Sequence, residues 1–252
     1  MLLKEIKTYF DTLYPEDLKA SYDNVGLMVG SLNKDIKKVL LSLDLTREVM
    51  DEAISLKVDL IITHHPLLFY PMKMIDLDTD PGSIVRDLIK YDIANFSMHT
   101  NFDTVKMNEY LGNLIEIKNQ MLLSEDENCG VYGDVNETSL NDYILKVKKA
   151  FNIDEARYYG KENITIKTVG IVGGSGSSMF KDAKNKKVDL YITGDVSYSR
   201  GLEAKRMGLN VLDVGHFVEH LYTNVIIKDL ANLDKSIIVG TSKVSPIPYI
   251  NY

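Results

Sequence analysis

Lys57–His65 reads KVDLIITHH and Lys187–Asp195 reads KVDLYITGD, and the two stretches align without a gap, sharing Lys, Val, Asp, Leu, Ile and Thr in register. Their surroundings match in kind. A strand-like run, KVLLSLD (38–44), and a helical stretch, TREVMDEAISL (46–56), precede the first copy; TVGIVGG (168–174) and SSMFKDAKNK (177–186) precede the second. After each copy come a helix and a third apolar run, DIANFSMHT (92–100) in one half and LNVLDVGHF (209–217) in the other. Short Val/Ile/Leu runs alternating with amphipathic helices predict βαβ units and mainly parallel sheets. The interval from Lys57 to His99 exceeds that from Lys187 to His216 by roughly the length of PMKMIDLDTDPG (71–82), which reads as an insertion loop. The fold class is therefore α/β, with two internally duplicated lobes. Residues 1–125 form the first lobe and 126–252 the second. The stretch 121–165, polar and carrying Gly130 and Gly133 with one helical run (SLNDYILKVKKAF), reads as the connection.

The duplication also says where a site should lie. In parallel α/β sheets ligands bind beyond the carboxyl ends of the strands. All five histidines fall in three windows that directly follow apolar runs: ITHHP (His64, His65), MHTNFD (His99, with Asp103) and DVGHFVEH (His216 and His220, with Glu219). Clusters from both halves suggest two lobes facing each other across one site.

Imidazole with carboxylate suits zinc, iron, manganese or nickel rather than calcium or magnesium. The lone Cys129 excludes a thiolate cage and an internal disulfide. Neighbours on a strand point to opposite faces, so His64 and His65 rarely chelate one ion, but Pro66 ends the strand and lets the two rings serve two ions. Taken alone, the pair also fits a structural role at a strand end. His99 and Asp103 are four apart and share a face if a helix starts there. Asp103 is then a ligand, while His99 either ligates or carries protons beside the metals; a capping turn is the plain alternative. His216 and Glu219 lie one helical turn apart, and a glutamate can bridge two ions, whereas His220 points elsewhere. Three histidines and two carboxylates are too many for one open tetrahedral ion, so two divalent transition-metal ions per chain are expected.

Two further stretches stay open. VGIVGGSGSSMF (169–180) could cradle a phosphate on its backbone N–H groups, or could simply be a tight strand-to-helix turn. TGDVSYSRG (193–201) puts Gly194-Asp195 where the first copy has the histidine pair. Asp195 could support a ligand, although a capped helix start is the simpler reading.

Net charge is −7 with only five arginines (Arg47, Arg86, Arg157, Arg200, Arg206), which argues against nucleic acid as the primary partner. No apolar stretch is long enough for a signal peptide or a membrane span, and a cytoplasmic location is expected.

SYDNVGLMVG (21–30), THHPLLF (63–69), HTNFD (99–103), GGSGSS, TGDVSY and GHFVEH (215–220), in that order, resemble the GTP cyclohydrolase 1 type 2 homologue family, whose eukaryotic members are named for interaction with a transcription factor. The likeness spans nearly the whole chain. It implies two interlinked α/β lobes, a dinuclear metal site and a ring-shaped homohexamer. Carried over by position, the ligands are His64, His65, Asp103, His216 and a bridging Glu219, with His99 close by. Tyr22 stands where tryptophan is common, Ser199 where many members have histidine, and Val218 where threonine is frequent. The chain is too short for the extra domain of longer members.

The expected function is a metal-dependent hydrolase of a small nucleotide-like or phosphorylated substrate, using zinc, iron or manganese, with His99 moving protons. The competing expectation is a non-catalytic metal-binding or adaptor protein.

Overall fold

The structure is a computed structural model that describes residues 1–249. In chain order the elements are α1 (Leu3–Leu13), β1 (Gly26–Val29), β2 (Lys38–Ser42), α2 (Arg47–Leu56), β3 (Leu60–Thr63), α3 (Asp80–Lys90), β4 (Ala94–Ser97) and a single turn, α4 (Thr100–Phe102). A π-helical stretch (Asp103–Met107) leads into α5 (Asn108–Leu114), β5 (Lys118–Ser124), β6 (Cys129–Ser139), α6 (Leu140–Phe151), β7 (Arg157–Tyr159) and β8 (Thr165–Ile171). Then follow α7 (Phe180–Asn185), β9 (Leu190–Thr193), α8 (Tyr198–Met207), β10 (Val211–Asp213), a 3-10 stretch (His216–Tyr222), α9 (Thr223–Leu233) and β11 (Ile238–Thr241). None of the helices among the described residues is long and apolar enough to cross a membrane.

Two compact units result. One comprises Met1–Phe102 together with the chain from Tyr222 onward, the other Asp103–Leu221. The sequence places one boundary at 125/126; the contacts divide the chain twice, at 102/103 and 221/222. In the first unit the strand order is β1-β4-β3-β2-β11, all pairs parallel except β1 with β4. In the second it is β5-β6-β8-β9-β10-β7, with β8, β9 and β10 parallel and the outer pairs antiparallel. The α/β class holds.

The repeated KVDL does the same work twice. Lys57 closes α2 in the left-handed region (φ 53°), and Lys187 takes the same conformation (φ 58°) before β9. Two residues later Asp59 accepts the backbone N–H groups of Lys37 and Lys38, both at 2.9 Å. Asp189 accepts those of Lys167 and Thr168, again both at 2.9 Å. Each aspartate thus pins the neighbouring strand just before the parallel ladder begins, at Val39↔Leu60 and at Val169↔Leu190, and helps set its register. The strands that follow, LIIT and LYIT, are buried at every position, as expected where both faces of a sheet are covered.

Each unit has its own core. Leu40, Val49, Met50, Ala53, Ile61 and Leu88 pack together in the first, with Thr46 capping α2 by accepting from Val49 N–H. Leu123, Val172, Phe180, Tyr191, Ala204 and Val211 pack together in the second.

The polar stretch 121–165 is not a connection. It supplies β6, most of β5 and β7, and the helix α6 that starts on Ser139 as expected. Its strands read as polar because β5 and β6 form an antiparallel pair with one side toward solvent. Gly133 sits inside β6, where a Cβ would come within 2.2 Å of the Lys118 carbonyl. That glycine marks close approach of two backbones, not a linker. The loop after Tyr70 is exposed as predicted but ends at Thr79, which caps α3 by accepting from Gly82 N–H, so Asp80–Gly82 belong to the helix.

Candidate functional site

In the first unit the strands deliver three imidazoles to one place. β3 ends at Thr63 and β4 at Ser97, so His64, His65 and His99 all lie just past carboxyl ends of parallel strands. A ring nitrogen of each lies within 4.8 Å of the others. His64 is fully buried, its ring 5.2 Å from His99, 5.2 Å from His65 and 5.5 Å from Tyr222 between centroids. The Tyr222 hydroxyl, 2.8 Å from the carbonyls of both Ser42 and Ile62, holds the ends of β2 and β3 beneath that ring. The His65 Nδ1 lies 2.7 Å from Asp44 Oδ1, just beyond β2, and its backbone N–H donates to the Leu43 carbonyl. His99 sets its Nδ1 2.8 Å from Asp23 Oδ1. Beside these rings is an aromatic edge: Phe69 lies 6.2 Å from His99, 6.3 Å from Tyr22 and 4.8 Å from Tyr70, and the two tyrosines are 68% and 77% exposed.

In the second unit His216 and Glu219 follow the end of β10, on one turn of 3-10 helix, with His216 Nε2 2.9 Å from Glu219 Oε2. Asp195, two residues past β9 and in the left-handed region (φ 54°), places Oδ2 2.7 Å from His216 Nδ1. Asp103 and Glu219 each offer an oxygen within 4.8 Å of the other. A π-helical turn starts at Asp103, and such turns shift a side chain's aim relative to a regular helix. Gly174 (φ 63°) lies directly against this pair: a Cβ there would come 2.2 Å from Glu219 Oε1 and 3.2 Å from His216 Nε2. Burial, followed by the charge of Asp103, pushes the Cys129 thiol up to about 12, so it stays a thiol at neutral pH.

The donor chemistry fits transition-metal ions. An ionised carboxylate only accepts hydrogen bonds, so Asp44 and Asp195 keep the Nδ1 proton on His65 and His216 and make Nε2 the atom through which each ring would meet a metal; in His216 that atom faces Glu219 Oε2 at 2.9 Å. Carboxylate–histidine pairs of this kind orient metal-bound imidazoles and raise their basicity.

The Duf34/NIF3 (NGG1p interacting factor 3) family model matches residues 1–248. The chain belongs to this family. A GTP cyclohydrolase 1 type 2 homolog of Clostridium perfringens is 37% identical over 99% of this chain and 100% of its own length. The GTP cyclohydrolase 1 type 2 of Helicobacter pylori 26695 is 33% identical over 86% of each chain. Among solved structures, a Bacillus cereus protein related to NIF3 superposes with a TM-score of 0.93 at 25% identity, covering 100% of this chain and 99% of that one. Reduced HcgD from Methanocaldococcus jannaschii gives 0.84 at 28% identity over 96% and 98%.

The residues expected as ligands, together with His99, fall into two groups. His64, His65 and His99 gather in one unit, Asp103, His216 and Glu219 in the other. His220 turns its Nδ1 to the Phe217 carbonyl at 2.7 Å, apart from this set. Two supporting carboxylates, Asp44 and Asp23, are new. Asp44 and Asp23 carry no motif that marks them, although Asp23 sits within SYDN. Of the two readings the sequence leaves open for Asp195, the structure fits support of a histidine: Ser197, not Asp195, caps α8, and Asp195 holds His216. The duplication carries the signal for it, since Asp195 aligns with His65. The glycine-serine loop 173–178 behaves as a tight turn. Gly173 N–H donates to Asn108 Oδ1, Gly176 N–H to Thr193 Oγ1, and the Glu219 carboxylate beside Gly174 would repel an anion.

Proposed function

We propose that this chain is a hydrolase that depends on two divalent transition-metal ions and acts on a small nucleotide-like or phosphorylated substrate. The observation that carries the reading is the pairing of His65 Nδ1 with Asp44 and of His216 Nδ1 with Asp195, with His216 Nε2 set against the Glu219 carboxylate. On this reading His64, His65, Asp103, His216 and Glu219 hold the ions, with zinc, iron or manganese all compatible with the nitrogen and oxygen donors. Bound there, such ions supply Lewis-acid activation of water and of an oxygen on the substrate.

The remaining work falls to the chain itself. Asp44 and Asp195 orient their imidazoles, and Gly174 gives the Glu219 carboxylate room beside His216 Nε2. His99, within reach of His64 and His65 but not required to complete the ligand set, accepts and returns a proton at Nε2. The substrate class draws on two supports. Relatives carry the name GTP cyclohydrolase 1 type 2, and the exposed rings of Tyr22 and Tyr70 beside His99 suit a planar heterocycle. The net charge of −7 disfavours long nucleic acids. A homohexamer in the cytoplasm completes the reading, on family resemblance and the lack of a membrane-crossing helix among the described residues.

The second reading, a metal-binding or adaptor protein without turnover, draws on the family description, which names an interacting factor. One experiment separates them. Elemental analysis of the purified protein is expected to give close to two ions per chain, and a screen of GTP, other nucleotides and phosphodiesters is expected to show turnover that His64→Ala abolishes. Equal background rates for both proteins on every substrate sink the hydrolase, and fewer than one ion after incubation with zinc, iron or manganese sinks the dinuclear centre.

A further inference from the structure

Asp23 belongs to SYDN, a stretch to which the ligand set gives no task, and its side chain is fully buried. A buried carboxylate persists as an anion only when donors surround it. Four do so here. Oδ1 lies 2.8 Å from His99 Nδ1 and accepts the Asn24 backbone N–H at 2.8 Å. Oδ2 accepts the Thr100 backbone N–H at 3.1 Å and the Thr100 hydroxyl in a short bond. Burial alone would raise its pKa, but the bonds from His99 and Thr100 outweigh it and bring the group down to about 2.

The surrounding backbone is braced so that this arrangement cannot slide. The Ala20 N–H donates to Thr100 Oγ1 at 2.9 Å, and the Asn24 side chain donates to the Leu68 carbonyl at 2.7 Å. Asn101 donates to the Tyr14 carbonyl and accepts from the His99 N–H. The segment 20–24 is thereby locked to both loops that bear the first-unit histidines. Both carboxylate oxygens receive a backbone N–H, a group that can only donate. An amide in this place has one oxygen for two such donors, so the site demands a carboxylate.

We infer that Asp23 is the positioning residue for His99: it confines the ring to the Nδ1–H tautomer and fixed orientation, so that Nε2 stands as a bare lone pair toward His64 and His65. The inference rests on the proposed proton-carrying role of His99 only for its significance; the tautomer itself can be read without turnover or bound metal. The test uses the full chain labelled with 15N-histidine, as purified and after chelation, with two-bond 15N–1H correlation spectra and His99→Asn to assign the His99 signals.

Wild type is expected to show His99 with Nδ1 protonated and Nε2 unprotonated in both preparations. Asp23→Asn is expected to split or shift that signature toward the Nε2–H form, because either amide orientation sets an NH2 group against a backbone N–H. Thr100→Val removes both hydrogen bonds of the hydroxyl, to Asp23 and from the Ala20 N–H, but leaves the carboxylate, and should keep the wild-type tautomer; this distinguishes the charge at Asp23 from general loosening of the loop. A wild-type His99 already carrying its proton on Nε2, an unchanged signature in Asp23→Asn, or the same change in Thr100→Val overturns the inference. Failure of the hydrolase screen with the expected tautomer pattern would remove the proposed reaction and leave the positioning role intact.

Discussion

At the scale of single residues, His65, His99 and His216 are each oriented by the carboxylate behind the ring. Asp44→Ala and Asp195→Ala each free an imidazole to rotate and change tautomer, and each is expected to weaken metal affinity about tenfold to a hundredfold. His220→Ala, whose ring is turned to the Phe217 carbonyl, should leave affinity unchanged. Titration with zinc against a competing chelator measures all three, and equal loss at His220 would contradict the ligand assignment. Asp23 makes a pH prediction. Its folded value near 2 lies below the ordinary 3.8, so the unfolded chain binds the proton more readily. Its contribution, about 2 kcal/mol, is therefore present above the ordinary value and disappears as pH falls through about 2. Urea midpoints for wild type and Asp23→Asn between pH 2 and 6 should converge toward the acid end; a constant gap would show that the carboxylate's charge is not the source. The ligand-type residues were legible because histidine, aspartate and glutamate at short spacing have few other reasons to cluster. Their partners were not, because Asp44 and Asp23 meet their histidines only through the fold, 21 and 76 residues away in sequence.

At the scale of elements, the duplicated KVDL was readable because a left-handed lysine, a register-setting aspartate and a buried strand recur together. Asp59 and Asp189 perform one task, so Asp59→Ala and Asp189→Ala should cost similar amounts. Each leaves two backbone N–H groups without their acceptor, worth about 1–2 kcal/mol. Chemical denaturation of the two variants checks this, and a near-zero effect at either position would break the equivalence of the copies. The hairpin β5–β6 escaped the same reading. Its alternation is blurred by irregular register between Lys118 and Met121, and by a glycine kept for backbone approach. Periodicity finds strands buried on both faces or alternating cleanly, and these do neither.

At the scale of the whole molecule, the first unit is discontinuous. Its sheet is finished by β11, which pairs in parallel with β2 from Ile238↔Lys38 to Thr241↔Leu41, while Ser242 and Lys243 bond to Glu52 on α2. No local pattern announces this, since a short strand near the chain end looks like a tail until its partner is known. A chain stopped after residue 234 should therefore expose β2 as a bare edge and lose solubility. Sedimentation and static light scattering after expression at low temperature would test it; a soluble, monodisperse product with the wild-type melting transition would refute it. The same feature orders events on the ribosome. With synthesis at about 5–20 residues per second, the second unit, ending at Leu221, has its full sequence available before the first unit's last strand is made. The half begun earliest is completed last, and until β11 has emerged it waits with an open sheet edge for a nascent-chain chaperone to cover.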